Sequence, residues 1–254
     1  MPCWKWSGLT GPQWDGHPVH CARTLDDVDT LPLTDRTRVT RMPQRQVTDR
    51  AALHAVLDAG LVAHVAVVRG GIPVVLPLGY ARDGDSVLLH GSTGGGLLRE
   101  AAAGAPLTAT VTVLDGLVYA RSTSDSSMNY RCAMVTGVAV PLTGPAEKEE
   151  ALARLTEHLM PGRWAEVRPS TKRELAAVLV LRLPLAEASV KVRALPASSA
   201  PDDGESREVW AGVLPLVTTA LAPVANDDVP SGTPLPASLG LAVAQLERSG
   251  PHVR

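Results

Sequence analysis

The sequence predicts a mainly β protein, an antiparallel closed or split β-barrel with peripheral helices. Three observations predict it. At least six short runs are apolar or alternate apolar with polar residues, tight turns join several of them as hairpins, and only a few helical patterns lie between. A barrel this small is filled by its own side chains, so a ligand would lie on its outer wall or between subunits.

In chain order, residues 1 to about 36 show no sustained period and read as an N-terminal extension carrying Trp4, Trp6 and Trp14. Cys3, His17, His20 and Cys21 match no zinc spacing, and no metal site is expected. Order is expected from about Thr37. A helix follows in which Thr48 can cap and Leu53, Val56 and Leu57 share a face that ends at Gly60. Val62–Val68, the turn Arg69-Gly70-Gly71 and Ile72–Tyr80 read as a hairpin, and Asp83-Gly84-Asp85 turns into a third strand ending at His90. These three strands form a meander.

A helix is expected over about Leu97–Ala103. Leu107–Leu114 then alternates Thr with apolar residues, as a half-buried strand does, and another strand is expected after Asp115-Gly116. Tyr130–Val140 reads as a long strand. Gly144-Pro145 opens a helix with Leu152, Leu155 and Leu159 on one face and a Glu150–Arg154 pair outside. Thr171 and Glu174 form a capping-box pattern, and Val178–Leu183 supplies a last core strand. Beyond Leu195 the chain is rich in Pro, Ala, Ser and Asp, with one ordered-looking island at Trp210–Leu216 and a tail expected to be loose.

Composition narrows the classes. At 254 residues and 45% hydrophobic, the chain can bury a substantial core. A net charge of −2 with scattered Lys and Arg argues against a nucleic-acid partner. No apolar run reaches the length of a membrane span and no basic-then-apolar leader opens the sequence, so a cytoplasmic location without membrane association is expected. Cys3, Cys21 and Cys132 lack CxxC spacing and support no disulfide framework. The Gly-x-Ser-x-Gly, His-Glu-x-x-His and DxDxDG patterns are all absent.

The most informative stretch runs from Val87 through His90-Gly91-Ser92-Thr93-Gly94-Gly95 into Leu97. An apolar strand passes through a His/Ser/Thr/Gly turn directly into a helix. Glycines let the backbone approach a ligand, the hydroxyls can donate to phosphate oxygens, and amides at a helix start carry partial positive charge. A P-loop needs Lys-Ser/Thr where Leu97-Leu98 stands, and a dinucleotide fingerprint needs glycine where Arg99 stands. Local sequence leaves two readings open, a phosphate turn or a ligand-free connection.

Several motifs occur in order: Gly71–Tyr80, Leu88–Gly95, Ser127-Met128-Asn129-Tyr130-Arg131 with Gly137, Ser189–Arg193, and Trp210-Ala211-Gly212-Val213. Together they resemble the pyridoxamine 5'-phosphate oxidase-like flavoproteins, within them the flavin-nucleotide-binding branch that includes nitroimidazole reductases. The resemblance covers about residues 37 to 216. It implies an FMN-binding split barrel over 37–195, a homodimer with flavin at the interface, and a C-terminal segment 196–254 whose residues 207–216 dock on the barrel or the partner subunit.

On that resemblance, His90, Gly91, Ser92, Thr93, Gly94 and Gly95 hold the FMN phosphate. Val75, Leu76, Pro77 and Leu78 run beside the isoalloxazine ring. Tyr130 and Arg131 lie near the phosphate or the neighbouring subunit, Lys191 and Arg193 add charge, and Trp210 covers the flavin. His90 is also the candidate catalytic residue, whereas His54 and His64 read as structural and His158 as a solvated helix residue. The C-terminal substrate motif of pyridoxamine-phosphate oxidase proper is missing, which speaks against vitamin B6 oxidation. The implied activity is reduction of a small electrophile with a nicotinamide or deazaflavin donor. Alternatives are a non-enzymatic flavin carrier or sensor, a deazaflavin in place of FMN, and haem binding or degradation with His90, His64 or Cys132 as axial ligand.

Overall fold

The structure, a computed structural model, describes residues 29–198 and 207–250. The readings made on Trp4, Trp6, Trp14, Cys3, His17, His20, Cys21 and the end of the tail lie outside those residues. The first ordered pieces are a 3-10 turn, Pro43–Arg45, and β1, Gln46–Val47. Then come α1 (Arg50–Ala59), β2 (Val62–Arg69), β3 (Ile72–Asp83), β4 (Ser86–Ser92), α2 (Gly96–Ala102), β5 (Leu107–Tyr119) and β6 (Ser127–Gly137). The chain continues through β7 (Val140–Pro141), α3 (Pro145–Leu159), α4 (Lys172–Ala177), β8 (Val178–Pro184), β9 (Ala188–Arg193), β10 (Gly212–Pro215) and α5 (Ala237–Ser249).

The strands pair antiparallel in the order β1-β9-β6-β5-β2-β3-β4-β8-β7, with β10 added to β5. This is the mainly β, split-barrel architecture that the hairpin spacing predicts. β2, β3 and β4 form the expected meander. β3 pairs with β2 through Ile72–Gly79 and with β4 only from Tyr80 onward, so one strand belongs to two sheets. Inside, Val65, Leu89, Val111, Leu181 and Val190 are fully buried, and the barrel is packed with side chains rather than hollow. A second apolar cluster, with Ala81, Leu88, Val180, Ala151 and Leu155, seats α3 on the β3-β4-β8 sheet.

Local differences from the sequence reading have physical causes. The cap of α1 is Asp49, whose carboxylate accepts from the Ala51 amide at 2.8 Å, while the Thr48 carbonyl accepts from the Leu31 amide at 2.7 Å. That second bond draws the N-terminal arm onto the barrel, so the folded region starts before Thr37. Leu31 is 2% exposed, and the Thr37 hydroxyl donates to the Pro32 carbonyl. Asp115-Gly116 is a bulge within one long strand rather than a turn between two, because the register with β6 shifts between Leu114 and Gly116. The Thr171 and Glu174 capping box and the Glu150–Arg154 pair, at 3.0 Å, form as the sequence predicts.

The tail is a larger correction. The island is β10, and residues expected to be loose form α5. The Glu166 carboxylate accepts from the Ser238 amide and hydroxyl at its N-terminal end, the Gln245 amide donates to the His158 carbonyl, and Arg131 donates to the Ser249 carbonyl at its C-terminal end. A carboxylate at one end and a guanidinium at the other suit the helix dipole.

Leu31→Ala is expected to lower unfolding stability by about 2–5 kcal/mol, the cost of emptying a buried leucine site. Urea denaturation of the full chain checks this; an unchanged midpoint would mean that the arm is not part of the core.

Candidate functional site

A groove opens where β3 and β4 part. Beyond Tyr80 the two strands are paired; before it, Ile72–Gly79 keeps only β2 as partner. On the opposite wall, His90, Gly91 and Ser92 of β4 pair with β8 and have no partner on the β3 side. Val75, Leu76 and Pro77 are exposed along one wall, while Leu78 packs against the core. Pro73 and Pro77 lie opposite Val68 and His64 in the β2 ladder. A proline in a strand is compatible with its ladder only where its nitrogen faces away from it, so both face the groove. The alternate edge positions that could donate are left to Val75 and Gly79.

His90–Ser92 carry β4 past the point where it leaves β3, and the turn that follows is built differently from an open nest of amides. The Thr93 amide donates to the Ala177 carbonyl at 3.0 Å, the Gly94 amide to the Ser92 hydroxyl at 3.2 Å, and the Gly95 amide to the Ser92 carbonyl at 2.9 Å. These three donors are committed within the protein. α2 has no side-chain cap, and the Thr93 hydroxyl makes no hydrogen bond with the rest of the described protein. A Cβ on Gly91 would meet Leu98 Cδ1 at 2.5 Å, so a larger residue there would force that leucine to move. Around Gly94 the space is open apart from the Ser92 hydroxyl.

His90 is half-buried, and its Nδ1 is shielded from solvent without a partner among the described residues. Burial holds its pKa below the ordinary histidine value. The ring is neutral at pH 7, able to accept a proton or coordinate a metal. One residue at the turn was missed in the sequence. Arg69 pairs with Glu100 at 2.8 Å, and a Cβ built on Gly96 would lie 3.0 Å from its Nη2, so a guanidinium borders the start of α2. Its signal was the hairpin turn Arg69-Gly70-Gly71, which places an arginine at the strand end.

The other histidines divide clearly. His54 pairs with Asp85 at 3.2 Å. His158 is not a solvated surface group: its Nε2 donates to the Gly60 carbonyl at 2.8 Å, its ring lies 5.1 Å from that of Tyr80, and burial lowers its pKa. His64 is on a core strand, yet its side chain faces outward and is exposed, with no hydrogen bond or ion pair among the described residues. The strand registers set it in one row with Pro77, Thr110 and Met134. On the same face the Cys132 thiol accepts from the Thr112 hydroxyl at 3.5 Å.

The remaining predicted residues lie on other strands and are held by the protein itself. Arg131 makes a forked pair with Asp115, the bulge residue, at 2.8 and 3.0 Å, in addition to its bond to Ser249. Tyr130 is half-buried opposite Leu114 and Arg193. Lys191 donates to the Arg41 carbonyl at 3.3 Å. Arg193 is buried beside Asn129. Trp210 is 66% exposed and rests against Tyr119 with ring centres 5.9 Å apart. Hollows of about 440 and 250 Å³ lie under the N-terminal arm and against α5, away from the groove. Among the described residues, no cluster of His, Cys, Asp or Glu has the arrangement of a metal centre, and no helix is long and apolar enough to cross a membrane.

This barrel, its split and its groove define a class, and comparison with known proteins agrees. Residues 49–192 match the family described as Pyridoxamine 5'-phosphate oxidase. The chain belongs to that family. It is similar to the FAD and haem binding protein of Mycobacterium smegmatis, 42% identical, covering 78% of this chain and 97% of that one with a TM-score of 0.74. It is also similar to the flavocytochrome Anf3 of Azotobacter vinelandii, 35% identical over 82% of this chain and 96% of that one, with a TM-score of 0.76. A search of curated proteins gave no match.

His90 and His158 generate a pH dependence. Both have pKa values held below the ordinary histidine value of about 6.5, so the unfolded chain takes up protons first. Stability should be full above about pH 6.5 and fall as pH drops below it. Melting temperatures between pH 7.5 and 5 should show this decline, and a His90→Asn/His158→Asn variant should flatten it.

Proposed function

We propose that this chain is a flavin- and haem-binding redox protein of the pyridoxamine 5'-phosphate oxidase family. The observation that carries the reading is its 42% identity, over 97% of the partner's length, to a protein described as binding FAD and haem. The flavocytochrome Anf3 supports the same pairing of cofactors. In this reading the flavin is FMN or its FAD counterpart and lies in the β3/β4 groove. The apolar wall of Val75, Leu76 and Pro77 suits a flat ring, and Ser92, Thr93 and Arg69 can meet a phosphate.

His64 is the proposed haem ligand. His54 and His158 are engaged with Asp85 and Gly60, and His90 lies at the turn assigned to phosphate, whereas His64 is exposed and unengaged on an outer sheet face. An imidazole there is a suitable axial donor. Flavin would supply two-electron and one-electron transfer, and haem one-electron transfer. The protein contributes binding, orientation and shielding from water, so no acid/base pair is needed. His90, neutral and half-buried, is placed to hold a proton beside the flavin site.

A small electrophile is the proposed acceptor, with a nicotinamide or deazaflavin donor. The exposed apolar side chains of Val62, Val68, Ile72 and Val75 on the β2–β3 hairpin favour burial against a second copy, in keeping with a homodimer. The reaction is set in the cytoplasm, where such donors are found.

The visible spectrum of the purified protein, repeated after adding FMN or FAD and haemin, tests the assignment. Flavin bands together with a Soret band saturating at one haem per chain are expected; uptake of neither would overturn it. His64→Ala should shift or abolish the Soret band while leaving the flavin bands intact. Ser92→Ala/Thr93→Ala should weaken flavin binding by about 1–3 kcal/mol, the loss of charge-assisted hydrogen bonds, and leave haem uptake unchanged.

A further inference from the structure

A pair of arginines lies apart from the groove and has no acidic partner among the described residues. Pairing of Gln46 with Lys191 and Val47 with Val190 sets Arg45, just before β1, beside the last residues of β9, Val192 and Arg193. Arg193 is only 4% exposed. Its guanidinium is met by neutral oxygens alone: Nη1 donates to Asn129 Oδ1 at 2.5 Å and the Leu195 carbonyl at 3.3 Å, and Nη2 to the Pro196 carbonyl at 3.5 Å. Its Nε is buried with no hydrogen bond among the described residues, and so is Nε of Arg45. Two buried donors on adjacent cations are therefore without acceptors.

The electrostatics agree. Arg193's pKa lies below the ordinary guanidinium value, chiefly through burial and then through repulsion by Arg45; only the Tyr130 phenol acts the other way. A buried guanidinium without a carboxylate is costly, and a like charge beside it increases the cost. Three other arginines that are partly buried have acids: Arg131 has Asp115, Arg82 has Asp58 and Arg182 has Asp83. At Arg45 and Arg193 the chain supplies no such group among the described residues. A planar oxyanion that accepts from both Nε atoms would satisfy them together and neutralise the repulsion.

We propose that Arg45 and Arg193 form an anion-binding site for a carboxylate or phosphate group, separate from the His90–Gly95 turn. The site lies at the β1–β9 end of the sheet, β9 being five places from β4 in the pairing order. Its ligand is recognised as an oxyanion, and it stands independently of whether flavin or haem binds.

Thermal melting of the full chain with inorganic pyrophosphate or succinate, at ionic strength matched with sodium chloride, is the test. One of the two anions should raise the melting temperature of the wild type, pyrophosphate identifying a phosphate ligand and succinate a carboxylate. Arg45→Gln should abolish the shift, and Ser92→Ala/Thr93→Ala should keep it. Arg45→Glu places a carboxylate beside Arg193; it should raise the melting temperature of the anion-free protein by about 2–4 °C and also abolish the response. No shift with either anion, a shift that survives Arg45→Gln, or one lost only in the Ser92/Thr93 variant would overturn the proposal. If Arg45→Gln does not fold, Arg45→Glu decides by the same two readouts.

Discussion

Tyr80 sits where β3 leaves β2 for β4, and its buried hydroxyl donates to the Leu57 carbonyl near the end of α1. The interaction holds three things at once. It fixes the point at which one strand passes from one sheet to another, it satisfies a carbonyl in the last turn of a helix, and it positions a ring against which His158 of α3 leans. Burial drives the phenol's pKa far above its ordinary value, so the hydroxyl remains a donor throughout the accessible pH range. Gly60 belongs to the same joint, because a Cβ there would overlap Val111 and crowd the Tyr80 hydroxyl. The width of the groove therefore depends on a junction within the core rather than on the loops that border it.

Much of this was legible in the sequence because β-hairpins are announced locally. Arg69-Gly70-Gly71 and Asp83-Gly84-Asp85 adopt the turns their glycines permit, with Gly70, Gly71 and Gly84 all at positive φ. The core faces followed from alternation. What escaped was information carried between distant segments. Leu31 is buried only because a carbonyl seventeen residues later draws its strand inward. α5 lies in a tail expected to be loose, and Glu166 and Arg131 secure its ends from far away in the chain. Asp115-Gly116 resembled a turn because a bulge and a turn use the same residues; Gly116 is there so that the Leu214 carbonyl can pass close, since a Cβ would meet it at 3.0 Å.

The candidate site was legible in kind rather than in detail. Sequence order gave the strand, the turn and the helix that bring His90–Gly95 to the groove. It could not tell which amides remain available, because Ala177 arrives from α4 to engage Thr93. Nor could it separate arginines by role. Arg131, a family-matched residue, is a structural clamp between the bulge and α5, whereas Arg69 in a hairpin turn borders the groove. Both face a carboxylate, Glu100 for Arg69 and Asp115 for Arg131; the difference lies in enclosure, since Arg131 is largely buried between the bulge and α5 while Arg69 is half exposed, and that is settled only in three dimensions.

Pro73 and Pro77 give the groove wall a further property. An unpaired strand edge invites another chain to continue the sheet. Here two of the alternate nitrogens facing outward belong to proline, and a visiting strand would find half of its expected donors missing along that edge. The same exposed wall that can lie flat against a planar ring is thus a poor template for a peptide, and the protein can keep an open seam in its barrel without being zipped into fibres.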